Sequence, residues 1–533
     1  MNFKTKSVFL LSSLFFLVLA NLSSQESKYW VFLSDKNGTS LDPLEYFDAK
    51  AIERRLQHNI ILNDISDYPV REDYIEKVGE MVTKMGYASR WFNAVSVTAS
   101  EQQIQNIAKL PFVVEIQKQS LEIFLCSKPA TQEIKNSNIE LAQKQLELMQ
   151  SNLFIEKDIT GKGIRVAIFD GGFPEVDTHK AFEHVRKNNR IIKTWNFCNN
   201  KEFVYAYNSH GLSVMSNICG IYEGTQLGLA TDAEFLLART EINTEPFAEE
   251  EWWLAAAEWA DKNGAHIINS SLGYTYHRYF PEQMDGKTSL VARAANMAAS
   301  KGIIVVNAMG NDGTNSWKAV GTPADADSVL SVGGVDPYTE YKINFSSFGP
   351  TVDGRMKPNV TNSGFAAVAV KKDKLGNAHG TSFASPLTAG FVACALQTKP
   401  NTKNMDMIRL VEKSGNLYPY YDYAHGYGIP QSSFFTNDEK SSIQKQFQIT
   451  IQNNQLAVTI LPTEIMDTET IVVKTTDNYM YYHIMLPNGK LHKYGLITVS
   501  ESEPLKIELN DIPDNATVRV LYRQYLEEWK NIK

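Results

Sequence analysis

At 533 residues the chain is long enough for two or more domains, and 43% apolar with 21% charged residues is the make-up of a globular protein with a large core. A net charge of −8 argues against nucleic acid as a main partner. The sequence contains neither a G-x-x-x-x-G-K-[ST] phosphate loop nor a zinc-spaced Cys/His cluster.

Residues 1–25 read as a secretory signal peptide. Lys4 and Lys6 precede an apolar run from Val8 to Ala20, and small and polar residues follow from Asn21 to Gln25. That run is short for a membrane span, and no other stretch is long and apolar enough. No cysteine follows it for lipid attachment. The reading is a soluble exported protein, extracellular, cell-surface or periplasmic, with no membrane span. Export permits disulfides, yet the cysteines are Cys126, Cys198, Cys219 and Cys394, none in a C-x-x-C motif. Cys198 and Cys219 are spaced to pair across a short loop. Cys219 and Cys394 fall on expected buried helices, which favours mostly free thiols.

Residues 26–125 read as a small α/β domain. Tyr29–Leu33 is a strand, and Asp42-Pro43 opens a helix carrying Ala49, Ile52 and Leu56. Residues 71–84 have a helical period through Tyr74, Val78 and Met81. Residues 91–97 alternate as a strand, 101–110 form a helix and 112–116 a strand. The order suggests a ferredoxin-like β-α-β-β-α-β sandwich with one extra helix. Residues 126–160 read as an exposed linker and the start of the next domain.

From 161 to 437, strands and helices alternate. Strands are expected at 163–169, 233–239, 265–272 and 303–308, with helices at 249–261 and 290–300. This is the pattern of a mostly parallel sheet flanked by helices, whose ligand site lies beyond the carboxyl ends of the strands. From 445 to 533 short strands are expected at 447–451, 456–461, 470–474, 479–486, 496–500, 505–509 and 518–522, with an Asn488-Gly489 hairpin turn, as in a β-sandwich.

Four segments carry chemistry. Asp170 ends the first buried strand, before Gly171-Gly172, where a carboxylate can orient a histidine; alone it also reads as a turn. His210 opens an apolar helix at His210-Gly211, where an imidazole can serve as a general base; alone it also reads as a surface histidine. Asn311, in Gly310-Asn311-Asp312-Gly313, follows another buried strand, and its amide can donate to an oxyanion; alone it also reads as a turn. In Gly380-Thr381-Ser382-Phe383-Ala384-Ser385-Pro386, a Gly-Thr lead-in presents Ser382 at a helix start, with Pro386 in the first turn. That serine reads as a nucleophile or as a helix cap. His379, three residues before Ser382, is a rival base, poorly placed because it shares the serine's approach loop.

Together these segments resemble the subtilases, the subtilisin-like serine peptidases. Asp170, His210 and Ser382 follow that family's Asp-His-Ser order. Gly-Thr-Ser-Phe-Ala-Ser-Pro is a specific match, supported by 161–172, by 310–313 and by 353–360. The His segment departs: the usual His-Gly-Thr-His-Val-Ala-Gly is here His210-Gly211-Leu212-Ser213-Val214-Met215-Ser216, and Ala308-Met309 stands where a small pair is usual. The resemblance implies a subtilisin-like fold and peptide-bond hydrolysis with Ser382 as nucleophile, His210 as base, Asp170 as its orienter and Asn311 as oxyanion donor. It implies substrate pairing along Ser271-Leu272-Gly273, a cis Thr322-Pro323 bond, and residues 26–125 acting as a propeptide that assists folding, blocks the site and is removed by self-cleavage within 118–145. The implied partners are a protein or peptide substrate and the chain's own propeptide. No cofactor is required; the family often binds structural calcium in loops, but no spacing identifies a site. A lipase or esterase fits less well, because Ala384 stands where a nucleophile elbow needs glycine. A catalytically silent binding protein with the same fold is the alternative from another class.

Overall fold

The computed structural model describes residues 26–119, 135–243, 246, 248–276, 278–437, 443–461, 478–500 and 504–532. The signal segment, Cys126, the strand expected at 470–474 and most of the expected processing region lie outside them. The chain divides into two compact units. One contains the residues up to 127 with 196–201 and 240–264; the other contains 128–195, 202–239 and 265–533.

The first unit has a four-stranded antiparallel sheet, ordered Lys84–Ser89, Ala94–Ala99, Ser27–Leu33, Val113–Gln119. This is the ferredoxin-like order. Helices Glu72–Gly79 and Glu101–Ile107 supply Val78 and Ile107 to a core with Tyr29, Val31, Val95 and Val97. Ser100 and Gln103 form a capping box at the second helix. The helix expected from Asp42 to Leu56 is two helices, Pro43–Tyr46 and Ala49–Gln57, because Asp48 caps a fresh start. The helix expected to run to residue 84 stops at Gly79, and Lys84–Ser89 is an edge strand.

Helix Ala248–Lys262 belongs to this unit and turns acidic side chains onto the residues from 26–119. Glu258 accepts the Tyr87 hydroxyl at 2.8 Å, the Ser89 hydroxyl at 2.6 Å and the Trp91 N–H at 3.2 Å. Glu251 pairs with Lys28, and Asp261 pairs with both Arg54 and Arg55. Arg55 also meets Asp67 at 2.8 Å. These arginines and aspartates are nearly inaccessible to water, so each charge depends on its partner.

The second unit is built on a seven-stranded sheet in the order Val360–Ser363, Val329–Val335, Ile304–Ala308, Ile267–Ser270, Arg165–Asp170, Glu234–Arg239, Ile191–Asn196. The five pairings from Val360–Ser363 to Glu234–Arg239 are parallel. Strands Arg165–Asp170 and Ile304–Ala308 are buried along their whole length, which explains their near-continuous apolar sequence. Helices His210–Cys219 and Thr381–Thr398 pack in the same core, through Leu212, Met215, Phe383 and Phe391 among others. Strands Phe365–Val370 and Lys374–His379 form a separate antiparallel hairpin. Thr322-Pro323 is cis, as the sequence reading expects. Cys198, Cys219 and Cys394 are free thiols.

The C-terminal strands form two sheets, Phe447–Gln452/Gln455–Ile460/Leu505–Glu508 and Leu491–Thr498/Tyr479–Met485/Thr517–Tyr522/Tyr525–Lys530. Phe447, Leu456, Val458, Met480, Ile484, Val518 and Val520 share one core, so the sandwich is present. The strand expected at 496–500 starts earlier, at Leu491, after the Asn488-Gly489 turn. Tyr525–Lys530 is an additional edge strand. The sandwich is fastened to the loop after residue 416: the Tyr420 ring stacks on His483 with centroids 5.0 Å apart, His483 Nδ1 donates to Tyr421 O at 2.7 Å, and Arg519 Nη1 donates to Pro419 O at 2.7 Å. Among the described residues, no helix is long and apolar enough to cross a membrane.

Candidate active site

Strand Arg165–Asp170 delivers its last side chain to the carboxyl edge of the parallel sheet. Asp170 is fully buried. Its Oδ1 accepts the Gly171 N–H at 2.7 Å, and its Oδ2 lies 2.8 Å from His210 Nδ1. The histidine is the first residue of helix His210–Cys219, and its own N–H donates to Asn208 Oδ1 at 2.9 Å. Gly211 makes the approach of helix to strand sterically allowed. A Cβ there would sit 2.3 Å from Gly172 O and 3.0 Å from Asp170 Cβ. Burial is the largest influence on the His210 pKa and pulls it down, but the charge and hydrogen bond of Asp170 outweigh it, and the net direction is up.

The positions where this helix departs from the usual pattern hold it in place. Ser213 Oγ donates to Ala369 O at 2.9 Å. Ser216 Oγ donates to Ser213 O at 2.6 Å and accepts the Ala369 N–H at 2.9 Å. Asn217 Nδ2 donates to Ala367 O at 2.8 Å. Helix and hairpin are thus joined by buried hydrogen bonds, although Asn217 Oδ1 itself has no partner among the described residues, and the changed sequence keeps a defined seat for His210.

Ser382 is the second residue of helix Thr381–Thr398, with Gly380 as its cap at φ 149°. The half-buried hydroxyl donates to Ser271 O at 3.1 Å, and Ser271 Oγ donates to Ser382 O at 2.9 Å. The His210 ring lies 5.6 Å, centroid to centroid, from the ring of Phe383, the residue after the serine. The imidazole and the serine-bearing turn are therefore neighbours. His379 is elsewhere: its ring stacks on Phe365 at 4.2 Å, at the start of the hairpin.

Asn311 is exposed at the end of the strand Ile304–Ala308 segment. Its Oδ1 accepts the Thr381 N–H at 2.9 Å and the Thr381 hydroxyl at 3.0 Å. Two donors on one oxygen fix the amide orientation and leave Nδ2 as the outward group. Ser271, Leu272 and Gly273 continue strand Ile267–Ser270 past the sheet edge; Gly273 is exposed, while the other two are buried. A network locks this segment to the serine helix: Ser385 Oγ donates to Asn269 Oδ1 at 2.9 Å, and Asn269 Nδ2 donates to Ser271 Oγ at 3.3 Å.

Two contributors were not singled out from the sequence. Thr381 orients Asn311, and its only signal was its place in the Gly-Thr-Ser lead-in. Arg239, the last residue of strand Glu234–Arg239, donates from Nε to Gly171 O at 2.9 Å and lies under the Tyr207 ring at 3.8 Å. An arginine at a strand end carries no motif. Among the described residues, no group of three or more His, Cys, Asp or Glu side chains is placed to hold a metal ion.

Residues 161–428, half of the chain, match the Subtilase family, and residues 28–138 match a Peptidase S8 propeptide domain of Bacteroidota. The chain is 28% identical over 287 residues to the serine protease AprX of Bacillus subtilis, covering 48% of this chain and 62% of AprX, less than two thirds of that relative. It is 26% identical over 356 residues to subtilisin NAT of Bacillus subtilis subsp. natto, covering 66% of this chain and 83% of the relative. In fold it is similar to the epidermin leader peptide processing serine protease of Staphylococcus aureus, with a TM-score of 0.55 at 17% identity over 79% of this chain and 100% of that one.

Proposed function

The chain belongs to the subtilase family, and from that premise we propose that it is an exported serine endopeptidase, made as a self-processing zymogen, acting through Asp170, His210 and Ser382. The observation that carries the reading is the 2.8 Å Asp170–His210 hydrogen bond at the sheet edge, with the imidazole set against the turn that bears Ser382.

In this reading an extended peptide pairs with the 271–273 edge as an added strand. The Ser382 hydroxyl turns from Ser271 O toward His210 Nε2, gives up its proton there and attacks the scissile carbonyl carbon. The carbonyl oxygen becomes anionic and accepts from Asn311 Nδ2 and the Ser382 N–H. Collapse expels the amine, which takes the proton from His210, and leaves an acyl ester on Ser382. Water, deprotonated by His210, then attacks the ester and frees the acid. Asp170 holds the tautomer with the proton on Nδ1 and stabilises the imidazolium at each passage.

Residues 26–125 act as the propeptide. The proposal places self-cleavage within 118–145; N-terminal sequencing of active enzyme tests this, and active chains still beginning near residue 26 would contradict it. For the catalytic reading, the test is a labelled fluorophosphonate. Labelling at Ser382, lost in Ser382→Ala, supports the enzyme. Because the serine hydroxyl is engaged with Ser271 O, a silent binding protein is the second reading, and an unlabelled, correctly processed chain would favour it.

A further inference from the structure

We propose that Gln145 is a positioning residue for catalysis: its buried amide fixes the hairpin that leads into Ser382 against the segment that begins with the His210 helix. The proposal rests on the peptidase reading above and adds to it a residue from outside the motifs.

Hairpin Phe365–Val370/Lys374–His379 ends three residues before Ser382. The Gly380 N–H donates to Gly364 O at 2.9 Å, which closes the open end of the hairpin just ahead of the serine. Among the described residues the hairpin is a sheet of two strands, so no third strand pairs with the outer edge of Phe365–Val370. Side chains stand in for one. At Ala369 the N–H is taken by Ser216 Oγ and the carbonyl by Ser213 Oγ, both on the His210 helix. At Ala367 the carbonyl accepts from Asn217 Nδ2 of the same helix at 2.8 Å. The Ala367 N–H goes elsewhere, to Gln145 Oε1 at 2.8 Å. A buried N–H needs an acceptor, and this one comes from helix Lys135–Glu147, which carries no motif residue.

Gln145 is fully buried. Its Nε2 donates to Leu227 O at 2.8 Å and, more distantly, to Ala367 O at 3.4 Å. Leu227 lies on the return from the His210 helix, and its N–H donates at 2.8 Å to the carbonyl of Gly220, the helix cap. One amide therefore grips the serine hairpin with its oxygen and the histidine segment with its nitrogen. The apolar contacts around it, from Leu141, Ala142, Leu227 and Ala367, have no preferred direction. The hydrogen bonds do, so they set the distance and angle between the two segments. A misplacement of about 1 Å between reacting groups can cost about 10²-fold in rate, which makes this bond relevant to chemistry and not only to stability.

The helix is secured along its length. Asn377 Nδ2 donates to Asn138 Oδ1 at 3.1 Å, and just beyond the helix Met149 O accepts the Ser432 N–H at 3.0 Å and the Ser432 hydroxyl at 2.8 Å. Removing Gln145 with the propeptide would strip Ala367 N–H and Leu227 O of this partner, so the active chain keeps it.

The test compares Gln145→Met, which preserves volume and loses the amide, with Leu141→Ala, which weakens packing of the same helix and leaves the amide. Both are assayed well below their melting temperatures on a fluorogenic peptide that the wild type cleaves. Gln145→Met is expected to lower kcat and the rate of fluorophosphonate labelling at least tenfold, with KM changed less than twofold. Leu141→Ala is expected to melt earlier yet keep kcat within twofold. If Gln145→Met does not accumulate as folded protein, Gln145→Asn, which withdraws the amide by one methylene, is read by the same criteria. An unchanged kcat in the folded Gln145 variant, an equal loss in Leu141→Ala, or active chains that begin beyond Gln145 overturn the assignment and leave the peptidase reading intact. A wild type inert toward a peptide library and toward the fluorophosphonate overturns both.

Discussion

Thr381 holds Asn311 by two hydrogen bonds to one atom, its backbone N–H and its hydroxyl both donating to Asn311 Oδ1. The residue before the proposed nucleophile therefore aims the proposed oxyanion donor. Asn311→Ala is expected to lower kcat about 10²–10³-fold, the loss a single such donor brings in subtilisin itself, with KM little changed. Thr381→Val keeps the N–H and removes the hydroxyl, and is expected to cost less. Steady-state kinetics on one peptide reads both, and an unchanged kcat in Asn311→Ala removes the oxyanion role.

The Asp170–His210 pair sets a pH dependence. In the proposed mechanism the base must be neutral, so kcat/KM is expected to fall as pH drops through the His210 pKa, which lies above the ordinary histidine value of about 6.5 because Asp170 outweighs burial. Asp170→Asn is expected to move that acid limb downward and to lower kcat about 10⁴-fold. The sign for stability is opposite. A raised folded-state pKa makes the pair stabilising at pH below about 6.5, and that contribution is lost as pH rises through the folded-state value. A pH–rate profile whose acid limb does not move in Asp170→Asn would remove the coupling.

Gly211 is the point where a single methyl should disturb the site from outside it. In Gly211→Ala the new Cβ meets the backbone oxygen of Gly172, which has no side chain to swing aside. The expected result is about 1–3 kcal/mol of destabilisation together with lowered kcat, as His210 is pushed off Asp170. Thermal melting and kinetics on the same preparation check it; a variant with both values unchanged shows that the helix start has slack.

Asp261 carries two buried guanidiniums. Asp261→Ala removes one carboxylate from two buried guanidiniums, Arg54 and Arg55, and is expected to destabilise the unit containing residues 26–119 by about 3–5 kcal/mol. Urea unfolding of the full chain in a Ser382→Ala background, which blocks self-cleavage, would show this as an earlier transition. An unshifted midpoint would mean that water reaches the arginines.

The parts of the fold that could be read from sequence are those where burial acts on both faces of an element. Strands Arg165–Asp170, Glu234–Arg239, Ile267–Ser270 and Ile304–Ala308 each carry an apolar run, Val166–Phe169, Phe235–Ala238, Ile267-Ile268 and Ile304–Val306, and the sequence places each within a few residues. Strands Val329–Val335 and Val360–Ser363 escaped, since Gly333-Gly334 and the polar Thr361-Asn362-Ser363 interrupt the apolar signal although the strands are buried. Lys84–Ser89 and Tyr525–Lys530 escaped for another reason: each lies at a sheet edge, where one neighbour is missing and polar residues are tolerated. At the site, the side chains proposed to react were legible because motif and position agree. What fixes them was not. Ser213 and Ser216 looked like departures from a pattern, and only the hairpin carrying Ala369, itself missing from the sequence reading, gives their hydroxyls a purpose.

The stacking of Tyr420 on His483, with the Arg519 bond to Pro419, also bears on how the C-terminal strands behave as a working part. The same loop passes directly into the sheet, where Thr361 N–H donates to Gly428 O at 2.9 Å. The sandwich is therefore bolted to the scaffold that carries Ser382, not trailing from it on a tether.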